Sequence, residues 1–82
     1  MKPTEKQYVE KNIDFVWSET LKLIRKNPSL KEIQNDLISA GIEGLVVASK
    51  RFKPEKGFSF LTYAGHWVKQ KMMEVNNSCY KL

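Results

Sequence analysis

The 82-residue sequence holds one cysteine, Cys79, one histidine, His66, and no apolar run approaching the ~20 residues that a bilayer-spanning helix needs. A single cysteine excludes an internal disulfide and fits a reducing compartment. One histidine and one cysteine give no metal-ligand spacing, and no glycine-rich phosphate-binding loop is present. Cys79 has no activating partner in the sequence. No catalytic residue, metal ligand or cofactor is therefore assigned, and the chain reads as a non-enzyme. The polar start MKPTEKQ is not a signal peptide, so the expected location is the cytoplasm, away from membranes. Internal repeats, low-complexity tracts and strand-like alternation are all missing.

The hydrophobic share of 41% and the charged share of 28% are those of a folded protein, and the length allows one domain, 1–82. A chain this short buries only ~60% of its unfolded surface, so docking on a partner would add stability that its own core does not supply. The formal charge of +5 is unevenly spread. From Met1 to Ser49, seven basic residues balance seven acidic ones; from Lys50 to Leu82, seven basic residues face only Glu55 and Glu74. The same segment contains "GFSFLTYAGHWVKQKMM", with Phe58, Phe60, Tyr63 and Trp67 among His66, Lys69, Gln70 and Lys71. Cations interleaved with rings are the footprint of single-stranded nucleic-acid binding. A solvated basic face beside an ordinary core gives the same count, so charge alone leaves both readings open.

Helical periodicity organises the chain. Thr4-Glu5-Lys6-Gln7 has the form of a capping box, and Val9, Ile13, Val16, Trp17 and Ile24 then recur as one apolar stripe. This predicts a first helix over about 4–26, with Trp17 in the core. Asn27-Pro28 ends it, and Ser29-Leu30-Lys31-Glu32, a second capping box, opens a helix over about 29–52. There Ile33, Leu37, Leu45, Ala48 and Phe52 fall on one side and Asp36, Ser39, Glu43 and Lys50 on the other. Gly41 and Gly44 either admit another backbone or mark an irregularity. Lys53 to Gly57 is a turn, and a last helix over about 59–76 sets Ala64, Val68, Met72 and Val75 against Tyr63, His66, Trp67, Gln70 and Glu74. The expected fold is all-α, a small bundle of about three main helices.

The segment "DLISAGIEGLVVASKRFKPEKGFSFLTYAGHWVKQKMM" resembles the second conserved region of the sigma-70 family of bacterial transcription initiation factors. The matching elements are Asp36-Leu37-Ile38, Gly41 to Leu45, Arg51-Phe52, Gly57, Phe58 to Ala64, Trp67, Lys69 and Gln70, and "VEKNIDFVW" is similar to the region's first helix. The likeness spans roughly Val9 to Asn76. It implies a sigma region 2-like bundle that binds core RNA polymerase, of bacterial or phage setting, and recognises and melts the promoter minus-ten element.

The resemblance implies that Asp36, Ser39, Ile42 and Glu43 dock on a coiled coil of the largest polymerase subunit. It implies that Tyr63 and Trp67 stack on bases of the non-template strand, with Phe58, Phe60, Thr62 and His66 beside them; Phe60 suits the core equally well, and Thr62 either bonds DNA or merely caps the helix. Gln70 suits an adenine edge in duplex, and Lys50, Arg51, Lys53, Lys56, Lys69 and Lys71 are available for phosphates. Several positions depart from the family pattern: Ser39 and Ile42 replace amides, His66 replaces the first of two adjacent tryptophans, Met73 replaces a polar residue and Glu74 a basic one. These changes imply weaker or rearranged docking and melting. They keep open an alternative, a decoy regulator that docks on polymerase without opening DNA. Nothing after Asn76 supplies the fourth-region helix-turn-helix, so the expectation is a fragment or a short protein, with upstream recognition left to a separate partner.

Overall fold

In the computed structural model, which describes residues 4–80 and the side chains of 4–77, Thr4 starts the first helix as its spacing to Gln7 predicts. The Gln7 backbone N–H donates to Thr4 Oγ1 at 3.2 Å and the Thr4 N–H donates to Gln7 Oε1 at 2.9 Å, a complete capping box. Cys79 lies outside the described side chains. Four α-helices follow in order: α1 Glu5–Lys11, α2 Ile13–Lys26, α3 Gln34–Arg51 and α4 Phe60–Tyr80. Two 3-10 turns, Pro28–Ile33 and Pro54–Lys56, join α2 to α3 and α3 to α4. The all-α bundle is as expected, with its first helix divided in two.

The division falls at Asn12. Its side-chain amide donates to the Tyr8 carbonyl at 2.7 Å, the group that its own backbone N–H would bond in a continuous helix. The N–H goes instead to the Val9 carbonyl, at 3.1 Å, and α1 stops. Once the chain restarts at Ile13, α2 follows a stripe of its own, burying Val16 and Thr20 with Leu23 and Ile24 half-buried. Trp17 lands on the flank of that stripe and is 42% exposed, four residues before the still more open Leu21. The expectation that Trp17 is core is thus corrected; it assumed one unbroken helix.

The second helix also begins differently from its expected form. Asn27 turns extended before Pro28, as a residue preceding proline does, and caps a 3-10 turn rather than an α-helix. Ser29, expected as the cap, lies inside that turn with its hydroxyl donating to Asn27 Oδ1 at 2.7 Å. Side chains three apart eclipse in a 3-10 helix. Leu30 and Ile33 therefore point the same way, Leu30 fully into the core and Ile33 partly.

The two long helices carry most of the core. Leu37, Ile38, Leu45 and Ala48 of α3 are buried, with Ala64, Val68 and Met72 of α4, while Asp36, Ser39, Glu43 and Lys50 are exposed as their periodicity predicts. Gly44 decides how close the pair can come. A methyl group there would sit 2.8 Å from Val68 Cα and 2.9 Å from the Trp67 carbonyl oxygen. Those neighbours are backbone and cannot swing aside. On the adjoining side of α3, the bare Cα of Gly41 seats the Val16 side chain of α2. Of the two openings left by the sequence, close approach is the one realised.

Gly44→Ala is expected to destabilise the domain by roughly 1–3 kcal/mol through overpacking, partly offset by alanine's helix propensity of ~1 kcal/mol. Thermal melting followed by circular dichroism should show a midpoint lower by several degrees, at about 4–8 °C per kcal/mol for this size. An unchanged midpoint would mean that α3 and α4 separate freely.

Candidate nucleic-acid interface

The aromatic stretch does not stay together once folded. Phe60, the first residue of α4, is 7% exposed and stacks on Tyr8 of α1, with ring centroids 4.4 Å apart and planes 24° from parallel. Phe52, the C-cap of α3, meets both edge-on at 5.5 and 5.4 Å and lies 5.9 Å from Tyr63. Each such pair contributes about 0.5–1.5 kcal/mol beyond its buried area. Phe60 is therefore core, one of the two places that the sequence left open for it, and it is withdrawn from the DNA side. Phe58, two residues earlier, is 61% exposed between the turn and α4.

Ser59 fixes where α4 begins. Its hydroxyl accepts from the Thr62 N–H at 3.2 Å and is 2.8 Å from the Thr62 hydroxyl. Thr62 is exposed but already engaged in this cap. Beyond it, Tyr63 and Trp67 lie one turn apart at the margin of the core, both half-buried, and His66, Lys69 and Gln70 are exposed. Each of the two rings is thus partly packed against the core and partly open. The sequence placed them on the face opposite the core; Phe52 and Arg51, coming from the end of α3, make that face partly covered. Gln70 stays on the same face as Tyr63, two turns on.

The six basic candidates divide by what holds them. The Arg51 guanidinium lies 5.2 Å above the centre of the Trp67 ring, a cation–π contact that also screens one side of the indole. Lys69 pairs with Glu19 at 3.6 Å, and Glu19 also takes Lys22 at 3.1 Å. Lys71, with only a quarter of its side chain exposed, lies between Glu43 at 3.6 Å and Glu74 at 3.9 Å. Lys50, Lys53 and Lys56 are exposed with no ion pair among the described residues. Lys50 and Arg51 also complement the negative end of the α3 dipole, which alone would justify their place.

The two ion-paired lysines are not held equally. Glu43 and Glu74 are well exposed, and exposed pairs contribute about 0–1 kcal/mol, so Lys71 can leave them readily. Glu19 is 8% exposed, and a buried carboxylate needs its partners.

On the other long helix, Asp36, Ser39 and Glu43 are exposed on one face of α3, while Ile42 is half-buried against the core. Asp36, Ser39 and Glu43 border an open groove of about 440 Å³ whose far wall is Lys71, Glu74 and Val75 of α4. Sequence reasoning missed Tyr8, Glu19 and Lys22. Tyr8 lacks a local signal, because its partners are four dozen residues away along the chain. Glu19 falls in the half of the sequence whose charges balance, so it looked like one more solvated acid.

The chain matches the family description "Sigma-70 region 2" over residues 8–74, which takes in Tyr8, all of α2 and α3, and α4 as far as Glu74. It is 38% identical over 65 residues to the RNA polymerase sigma factor RpoS of Coxiella burnetii, covering 79% of this chain and 17% of that protein. With the RNA polymerase sigma factor SigA of Microcystis aeruginosa it shares 35% over 66 residues, 80% of this chain and 15% of the other. No solved structure matches. The chain spans less than a fifth of the length of these curated relatives. The match runs continuously through the ring cluster, the capped start of α4 and the exposed face of α3, and on that extent the chain belongs to the sigma-70 region 2 family.

Proposed function

We propose that this domain is a transcription initiation module that docks on core RNA polymerase through α3 and engages the melted minus-ten element of promoter DNA through α4. The observation that carries the reading is the margin of α4, where Tyr63 and Trp67 stay partly exposed beside exposed Gln70 within a stretch matching sigma-70 region 2. Base-on-ring stacking contributes about 1–3 kcal/mol per base, enough to offset the few kcal/mol of unstacking. Tyr63 is the platform for a base flipped from the non-template strand and Trp67 flanks it. Lys50, Lys53 and Lys56 supply phosphate contacts, and Phe58 offers an exposed ring at the entry to the helix. Asp36, Ser39 and Glu43 form the polymerase-docking face, meeting a coiled coil of the largest subunit, with Ile42 supporting them from its half-buried position. Upstream promoter recognition falls to a separate protein or segment.

A second reading, a regulator that docks on polymerase without opening DNA, draws on a specific feature. Lys69 and Lys71 are paired with carboxylates, and Arg51 covers one side of Trp67, so half of the basic candidates are occupied within the fold.

Two outcomes test the reading. Tyr63→Leu keeps an apolar side chain against Phe52 but removes the stacking face. It should weaken binding to a single-stranded minus-ten oligonucleotide by about 1–3 kcal/mol with core polymerase present, measured by fluorescence anisotropy. Unchanged affinity in a folded variant would leave the regulator reading in its place. Reversing both charges in Asp36→Arg with Glu43→Arg should abolish co-purification with core polymerase and leave the far-ultraviolet circular dichroism unaltered. Wild-type co-purification would mean that this face of α3 is merely solvated.

A further inference from the structure

Glu19 is the carboxylate that the proposed function does not use. It stands on α2, facing α4, with a side chain only 10% exposed. Two lysines reach it from different helices, Lys22 at 3.1 Å and Lys69 at 3.6 Å, both more than half exposed. The three groups line a groove of about 350 Å³ between α2 and α4, floored by Leu23 and Met72. The asymmetry of burial fixes which partner must yield. A lysine has a flexible four-carbon stem and an exposed ammonium, whereas the Glu19 carboxylate cannot turn out to water without leaving the helix interface. Moving Lys69 to a phosphate would leave a buried anion with one cation fewer. An arriving phosphate would also meet the Glu19 charge just behind the ammonium.

We propose that Glu19 is a positioning residue that withholds Lys69 from nucleic acid, setting how many cations α4 presents to a single strand. The inference rests on the nucleic-acid reading above and deepens it. It reassigns Lys69, which the sequence offered as a phosphate contact, to the seam between α2 and α4. It also separates Lys69 from Lys71, whose partner carboxylates are both exposed and release it readily. The effective phosphate-binding set is then Lys50, Lys53 and Lys56, joined by Lys71, with Lys69 in reserve. Substitution at position 19 would be the means of adding it.

The experiment is the salt dependence of binding of the 82-residue chain to a fluorescein-labelled, A/T-rich single-stranded DNA oligonucleotide. Each cation newly engaged on a single strand steepens the plot of log affinity against log salt by about 0.7. Glu19→Gln preserves shape and removes the charge. It should steepen the slope by about that amount and tighten binding several-fold at low salt, and adding Lys69→Met should abolish the gain. Lys69→Met in the otherwise wild-type chain should leave the slope within error of wild type, so the inference remains testable if Glu19→Gln fails to fold. A wild-type slope in Glu19→Gln, or a slope shallower by about 0.7 in Lys69→Met alone, overturns the inference while the nucleic-acid reading stands. A flat profile in the wild-type chain itself overturns both.

Discussion

The spacing between α3 and α4 at Gly44 is the constraint on which the remaining geometry depends. With the α3 backbone against Val68 and the Trp67 carbonyl, neither helix can rotate about its axis without collision. Rotation is what decides which residues are presented. The lock turns Leu45 and Ala48 inward against Val68 and Met72, and it leaves Asp36, Ser39 and Glu43 outward. It also brings the end of α3 over the start of α4, so Arg51 reaches Trp67 and Phe52 reaches Phe60 and Tyr63. A single missing side chain thus sets the face proposed for polymerase relative to the face proposed for DNA.

The ring cluster then divides labour among residues that look alike in sequence. Phe60 and Phe52 are consumed by packing on Tyr8, and their rings hold the mouth of the bundle shut. Tyr63 leans on that packing through Phe52, Trp67 lies beneath Arg51, and both stay partly exposed. A stacking platform benefits from such support, because a ring already held in place loses little freedom when a base lands on it. The cations show a parallel division. Those in the turn are unpaired among the described residues, and those on α4 are met by carboxylates from α2, α3 and α4 itself.

What was legible in the sequence follows the range of the forces involved. Local signals read correctly: the Thr4 box, the stop before Pro28, the apolar faces of α3 and α4, and the turn ending at Gly57, whose φ of +85° suits glycine. The split at Asn12 was not legible from periodicity, because the residues on either side keep a helical pattern and one side-chain hydrogen bond decides the matter. Trp17 was misplaced as a direct consequence. The burial of Phe60 required knowing that Tyr8 would arrive from the far end of the chain, a contact no local pattern encodes. The family resemblance proposed the rings and the docking face, but it could not say which cations this particular chain neutralises, since Glu19 and Glu43 reach Lys69 and Lys71 across helix boundaries.

Trp17 acquires a use from the accident of its position. The sequence has two tryptophans, and the fold sets them in unlike surroundings: Trp17 open to water on α2, Trp67 half-buried beneath a guanidinium on the face proposed for DNA. Indole emission responds to both solvent and nearby charge, so the two should differ in colour and in quenching by iodide. Replacing Trp17 by phenylalanine removes the water-facing emitter while leaving the core untouched. What remains is a single tryptophan beside the proposed base platform, able to report occupancy without any attached label when excited selectively over the tyrosines.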